Sequence, residues 1–520
     1  MTDHVTLAVV QAALEAAADE MFAVIRRTAM SPIIYEVLDM GTGITDAEGR
    51  LVSSGAGIPT FVGVLDKAVA RLIEIHGDTI REGDAFVTND PSYGGVTHLS
   101  DVVVALPVFH EGQLLAWAAS IAHWNDVGGM VPGSMSATAQ EIWQEGLRLP
   151  AVRLFENGAP IEPVMAIVAA NSRQPDVAQG DLWAQVAAAR RAEQRLKGLA
   201  ERYGEGAFRA AIADALSMGE ARARTGLATL PHGRHEIAEE QDDGSVWRAV
   251  ITVEADQFVV DLTENPGQRD APMNLSRDGS VIAAQMIFKA LCDPSRFANS
   301  GSFAPLEVIT RPGTIFHARD PAPQGYYFET RIRLYDMLWR CLAQALPEKL
   351  PAGHFGTIGG TVIAGLHPDT GRRFTMVEPQ MGGWGATPTR DGLSAMFSAS
   401  HGDTFNCPAE IAEARYGVLV EQRSLAEQAG GDGLHPGGRG LSVAYRMRGD
   451  AVLSVGLSRT RMPVWGLAGG RNGGCNRLVI QRAGSAGENE AHGMASGVGL
   501  SPGDRVLIET AGGGGWGRGT

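Results

Sequence analysis

The sequence predicts an α+β protein. A mixed α/β part over residues 1–230 is built around one long apolar hairpin, and a strand-rich, glycine-rich part over residues 231–520 is interrupted by two helices. Three observations predict it. Alanine-rich stretches with apolar residues at helical spacing dominate the first part. Alternating apolar and polar residues dominate the second. Glycine occupies 66 of 520 positions without a fixed period, which marks tight turns and close backbone approaches in a folded chain.

In chain order, residues 5–29 place Val9, Leu14, Met21, Phe22, Val24 and Ile25 at helical spacing, and Pro32 marks the end of that helix. EVLDMGTGITDAEGRLVSSG reads as two short strands around the turn Asp46-Ala47-Glu48-Gly49. Residues 61–80 are helical, with Phe61, Val64, Leu65, Ala68, Val69 and Leu72 on one face. A hairpin is predicted over 101–123, and an amphipathic helix over 180–204 ends at Gly204 and is followed by a further helical stretch. Strands take over from about residue 230, with helices near 281–292 and 329–346. A chain of 520 residues exceeds one hydrophobic core, so a soft boundary is placed near 228–232.

Composition narrows the function classes. The net charge of −15 disfavours nucleic acid and anionic membranes, which need a basic footprint. Cys292, Cys341, Cys407 and Cys475 show no C-x-x-C spacing, so neither a disulfide framework nor a thiolate zinc site is expected. No run of 18 or more uncharged apolar residues exists to span a membrane. With Glu15, Asp19 and Glu20 early in the chain, a cytoplasmic setting is expected. The glycine loops at 430–440 and 511–519 lack the Lys-Ser/Thr of a P-loop, so no nucleotide site is visible.

The hairpin carries the chemistry. DVVVALPVF (101–109) and LLAWAASIAHW (114–124) are apolar runs of strand length. A three-residue loop Glu111-Gly112-Gln113 would pair His110 with Leu114, set Asp101 opposite His123, and set His98 opposite Asp126. A shift of one residue would put Asp101 and His123 on opposite faces. Two histidines and a carboxylate leave coordination positions open on zinc, manganese or iron. The spacing equally allows a hydrogen-bonded His-x-x-Asp pair and an interior histidine. Glu36 and Asp39 offer further carboxylates in a mostly apolar segment. His354, His401 and Asp403 sit in glycine-rich turns, which could line a cavity, although hydrogen bonding within the turn is the ordinary reading.

RRTAMSPIIYEVLDMG, NDPSYGGVTHLSD, AHWNDVGGMVPGSM, EIWQEGLRLPAVRLF and NSRQPDVAQGDLWAQVAA occur in order, and HPGGRGLSVAYR and TAGGGGWGRG follow in the second half. These stretches resemble the hydantoinase B (oxoprolinase B) family over essentially the whole chain. The resemblance implies a metal-containing B-type subunit that assembles with a hydantoinase A-type ATPase subunit, which carries the ATP. It implies ATP-dependent opening of a small cyclic amide: a hydantoin, an N-methylhydantoin, 5-oxoproline or a lactam. It maps the metal ligands onto His98, Asp101 and His123, and a ligand or base onto Asp39, with Glu36 as a further catalytic candidate. Asp90 and Asp126 are candidates to hold the imidazole N–H groups. Related complexes carboxylate ketones, which is the alternative reaction. A non-catalytic scaffold and a non-haem iron oxygenase are the other readings. Val37-Leu38-Asp39-Met40-Gly41 departs from the family's usual Arg-Leu-Asp-Phe-Ser beside the expected site.

Overall fold

Alanine and leucine at helical spacing give α1 (His4–Thr28), which buries Val10, Leu14, Ala17, Ala18, Met21, Phe22 and Ile25. Pro32 does not continue it. With no N–H to donate, proline opens the short helix α2 (Pro32–Tyr35) at a position where none is needed. The expected strand pair follows as β1 (Met40–Asp46) and β2 (Leu51–Gly57), and Gly49 takes a φ of +89° in the turn. Next come α3 (Pro59–His76), β3 (Ala85–Thr88), β4 (Asp101–His110), β5 (Gln113–His123), β6 (Val152–Glu156) and β7 (Ala159–Pro160). Three helices close this part: α4 (Glu162–Asn171), α5 (Pro175–Tyr203) and α6 (Glu205–Leu227). This computed structural model describes residues 4–296, 298–399, 401–402, 404–484 and 489–519.

The seven strands form one antiparallel sheet in the order β2-β1-β5-β4-β3-β6-β7. Side chains alternate across a strand, and here both faces are covered. Val102, Val104, Leu106 and Val108 of β4 pack in the cluster that holds α1 and α5. Val103 and Ala105 pack instead with Phe61, Val64 and Leu65 of α3. Burial on both faces explains why the hairpin reads as an unbroken apolar run.

The hairpin corrects one expectation and meets another. Its loop has two residues, Glu111 and Gly112, with φ of +47° and +78°, and His110 pairs with Gln113 rather than Leu114. A bulge between Val108/Ala116 and Phe109/Leu114 then leaves Leu115 unpaired. That extra residue restores the register, so Asp101 lies opposite His123 after all.

The second part contains β8 (Gly233–Glu240), β9 (Val246–Val253), β10 (Phe258–Asp261), α7 (Arg277–Cys292), β11 (Leu306–Ile309) and α8 (Tyr327–Ala343). It continues with β12 (Gly360–Leu366), β13 (Arg373–Glu378), α9 (Ala409–Arg415), β14 (Val418–Leu425), β15 (Leu441–Met447) and β16 (Ala451–Gly456). The last strands are β17 (Arg477–Gln481), β18 (Asn489–His492), β19 (Met494–Leu500) and β20 (Arg505–Glu509). They build three sheets, ordered β11-β10-β9-β8, β13-β12-β16-β19 and β14-β15-β20-β17-β18.

The two glycine loops lie against each other. Gly513 N–H donates to Gly438 O at 2.9 Å, Gly431 N–H donates to Gly513 O at 2.8 Å, and a Cβ on Gly437 would stand 2.0 Å from Gly513 O. Backbones this close leave no room for a side chain. Residue 230 falls between α6 and β8, while the largest buried cluster runs on from Val10 to Ile508. Among the described residues no helix is long and apolar enough to cross a membrane.

Candidate metal centre

The open end of the hairpin delivers the site. Asp101 begins β4 and His123 ends β5, directly opposite on the same face. The turn before β4 brings His98 back over them, with Asp101 N–H donating to the His98 carbonyl at 3.1 Å. His98 Nε2 and His123 Nδ1 each lie 3.0 Å from Asp101 Oδ1, and the two nitrogens are 3.3 Å apart. All three residues are buried.

His98 and Asp101 are oriented from outside this triangle, while His123 Nε2 is buried with no hydrogen-bond partner. His98 Nδ1 sits 2.9 Å from the carbonyl of Gly325, in the turn before α8. A carbonyl only accepts, so Nδ1 carries the ring proton and a neutral His98 presents a bare Nε2 to the triangle. Asp101 Oδ2 accepts from the Tyr327 hydroxyl at 3.2 Å and from the Thr97 hydroxyl, which leaves Oδ1 facing the histidines. Gly325 is itself held by the buried Glu145, whose carboxylate accepts from Gln324 N–H at 2.9 Å and Gly325 N–H at 2.6 Å.

These contacts test whether a cation fits. Donor atoms at right angles around an ion about 2.1 Å away stand about 3.0 Å apart. The observed separations of 3.0, 3.0 and 3.3 Å match that spacing. Lone-pair-bearing atoms so close and so buried need a shared proton or a cation between them. The electrostatics agree. Burial opposes charge on His98, yet Asp101 and the Gly325 carbonyl outweigh it and raise its pKa. Burial likewise opposes ionisation of Asp101, but His98 and His123 hold it well below the usual carboxylate range. The donor set of two imidazoles and one carboxylate suits zinc, manganese or iron.

Asp39 lines the same cavity but does not join the donor set, whose atoms lie within 4.8 Å of one another. Its backbone explains the placement. Leu38 has a φ of +65°, and the Asp39 carbonyl accepts His123 N–H at 3.0 Å, which extends β1 beside β5. Burial pushes Asp39 up to about 7, against the pull of His123.

Three other expectations are corrected. Glu36 ends α2, where its N–H donates to Pro32 O, and it is not among the cavity residues. Asp90 is committed to Arg148 Nε at 2.6 Å and to Ser92 N–H at 2.9 Å. Asp126 does not lie opposite His98. The strands end at Asp101 and His123, and its carboxylate accepts from Gly128, Gly133 and Arg173 N–H and from Arg173 Nη1, all at 3.0 Å. Neither aspartate holds an imidazole. For His98 that work falls to Gly325, and Thr97 and Tyr327 hold the carboxylate.

On the far wall, sequence reasoning missed Arg331 and favoured turn hydrogen bonding over a cavity place for His401. Arg331 and His401 line the cavity beside the apolar Ile58, Phe61, Met135, Phe328, Ile358 and Val377. Arg331 is buried, and burial lowers its pKa while Asp101 and Asp39 favour its charge. Burial pushes His401 down to about 3, with Arg331 adding to the effect, so the ring is neutral. His354 is buried elsewhere, stacked on Trp339 at 5.6 Å, and Asp403 lies outside the described residues. The helix near 329–346 was legible, but nothing local tied Arg331 to the hairpin or extended the helix back to Tyr327.

Comparison with known proteins addresses the chain as a whole. A family model described as hydantoinase B/oxoprolinase matches residues 3–519. Caprolactamase subunit beta of Pseudomonas jessenii is 31% identical over 99% of this chain and 91% of its own length. 5-oxoprolinase 1 of Arabidopsis thaliana is 29% identical over 99% of this chain, which spans 42% of that longer protein. The crystal structure of the ATP-dependent caprolactamase of P. jessenii superposes with a TM-score of 0.92 at 28% identity, over 100% of this chain and 92% of that one.

Proposed function

Since the chain belongs to the hydantoinase B/oxoprolinase family, we propose that it is the B-type subunit of an ATP-dependent complex that opens a small cyclic amide. In this reading His98, Asp101 and His123 hold a divalent cation, and a hydantoinase A-type partner subunit binds ATP. The observation that carries it is the triangle of donor atoms at 3.0, 3.0 and 3.3 Å, with His98 Nδ1 already committed to Gly325. The names of the relatives support the substrate class, since caprolactam and 5-oxoproline are both cyclic amides.

The chemistry demands two activations. An amide carbonyl is a poor electrophile because resonance stabilises it. Transfer of the γ-phosphoryl group of ATP to the amide oxygen on the partner would make the ring carbon electrophilic. One water then adds to that carbon and the ring nitrogen leaves, and a second water hydrolyses the acyl phosphate, so ATP and two waters are consumed and the ring-opened acid, ADP and phosphate are released. A divalent cation supplies Lewis acidity, which lowers the pKa of water and polarises oxygen. The chain's own residues do the rest. Asp39, outside the donor set but in the same cavity, accepts the proton of the attacking water at its carboxylate. Arg331 brings a fixed positive charge to the negative charge that develops on the substrate. Ile58, Phe61 and Phe328 give apolar walls to the carbon skeleton of the ring and keep bulk water out.

The test combines metal analysis with turnover by the reconstituted pair on a panel of cyclic amides. The purified chain is expected to carry about one equivalent of divalent metal, and His98→Ala to lose it. Asp39→Asn is expected to keep the ion and lose ring opening by about 100-fold or more. Full ring opening by a metal-loaded Asp39→Asn removes the base. Labelled bicarbonate carbon in the product replaces hydrolysis with ketone carboxylation, and a metal-free wild-type chain leaves only a scaffold.

A further inference from the structure

We propose that the cleft between the start of α5, the β12–β13 turn and the end of α9 binds a phosphate-bearing small molecule. It is a second site, distinct from the cavity that holds the histidine triangle. The cleft has a volume of about 680 Å³, in the range of small-molecule sites.

Charge is the first argument. The protein carries a net −15, yet this cleft is lined by Arg173, Arg372, Arg373 and Arg415, with Asp176 as its one carboxylate. Arg173 is already occupied by Asp126 and the carbonyls of Gly128 and Gly129. Arg372, Arg373 and Arg415 are exposed and form no ion pair with a described residue. Three unneutralised guanidiniums around one hollow repel each other, and a multiply charged oxyanion relieves that repulsion. Guanidinium forks match phosphate oxygens two at a time.

His367 is the second, independent argument. It lines the cleft and is 7% exposed. Its Nδ1 accepts the backbone N–H of Asp369 at 3.2 Å, so a neutral ring carries its proton on Nε2. That nitrogen is buried and has no hydrogen-bond partner. A buried donor without an acceptor is costly, and a phosphate oxygen that displaces the groups covering this nitrogen supplies the acceptor. The amino end of α5, a 29-residue helix, opens on the same hollow at Pro175–Val177 and adds its positive dipole end.

The shared chemistry is a phosphate group, either free or esterified. Isothermal titration at low salt uses two probes, inorganic phosphate and phenyl phosphate, on the full chain. Saturable binding is expected for at least one of them. If only inorganic phosphate binds, the site takes the free anion; if phenyl phosphate binds as well or better, it takes an ester. Arg372→Ala/Arg373→Ala is expected to weaken binding about 10-fold or more, as is His367→Ala, while the metal content stays unchanged. A cation at the histidine triangle would also attract phosphate, so the titration is repeated with His98→Ala, where binding is expected to persist. The inference is overturned if neither probe saturates, if the double arginine variant and His367→Ala bind as wild type, or if His98→Ala abolishes binding. The second of these outcomes would leave the arginines as a docking face for an acidic partner chain.

Discussion

Glu145→Gln tests the support behind His98. Glu145 is 1% exposed, and its two oxygens accept the N–H groups of Gln324 and Gly325 at 2.9 and 2.6 Å. Glutamine keeps one acceptor and turns an amide NH2 toward the other N–H. One buried donor is then orphaned, at a cost of about 1–3 kcal/mol. The pH dependence is more diagnostic than the size. Burial pushes Glu145 from 4.5 up to about 7, against the two N–H bonds that favour its charge. A carboxylate raised on folding stabilises the folded state fully below its unfolded pKa, and that stability is lost as pH rises through the folded value. A rise from 4.5 to about 7 is worth about 3 kcal/mol. Glutamine does not titrate, so the wild-type advantage should be largest near pH 5 and shrink by about 2–3 kcal/mol toward pH 8. Urea unfolding of both chains at pH 5, 6, 7 and 8 measures it, because every other titrating group is common to the two and cancels. A gap that stays constant or widens with pH would mean that the carboxylate is ionised at no cost where it lies. The reasoning about its burial would then be wrong.

Two further outcomes separate the residues that hold the site from those that hold the fold. Tyr327→Phe removes the hydroxyl that donates to Asp101 Oδ2 at 3.2 Å but keeps the ring against His98. Metal affinity, read by competition with a chelator, should fall by about 10-fold with little change in melting temperature. Asp126→Asn breaks the ion pair of the buried Asp126 with the half-buried Arg173 and should cost about 2 kcal/mol of stability while leaving the metal content unchanged. Loss of the ion in that variant would return Asp126 to the neighbourhood of the imidazoles.

The local parts of the fold were legible because they obey local rules. The face of α1 follows helical period, although Val9, read as part of it, is exposed and Val10 is buried instead; Gly204 closes α5 with a φ of +81°, and the turn between β1 and β2 carries its glycine where φ must be positive. Register was legible for a partly mistaken reason. The two-residue turn at Glu111-Gly112 would have shifted the pairing, and the bulge at Leu115 shifted it back. Nothing in QLLAW announces a bulge, because an unpaired leucine that stays buried looks like any other strand residue. The glycine loops at 430–440 and 511–519 were legible as turns, but not as two loops that press their backbones together. That contact is a property of the pair and leaves no mark on either sequence.

The candidate site divides along the same line. His98, Asp101 and His123 come from one stretch of 26 residues, so spacing alone could group them. Their supports come from elsewhere: Glu145 from the loop before β6, Gly325 and Tyr327 from the start of α8, Arg331 one turn further along it, and His401 from a loop beyond β13. A sequence argument must therefore assign carboxylates near in sequence, such as Asp90 and Asp126, to a task that a backbone carbonyl 227 positions away performs. The physical reason is that orienting an imidazole needs only one fixed acceptor, and any carbonyl will serve if the fold holds it still. Glu145 holds this one through two N–H groups, so the precision of the hairpin site depends on packing between the two parts of the chain. If that is so, a substitution in the turn before α8 that leaves all three donor residues intact should still loosen the grip on a cation.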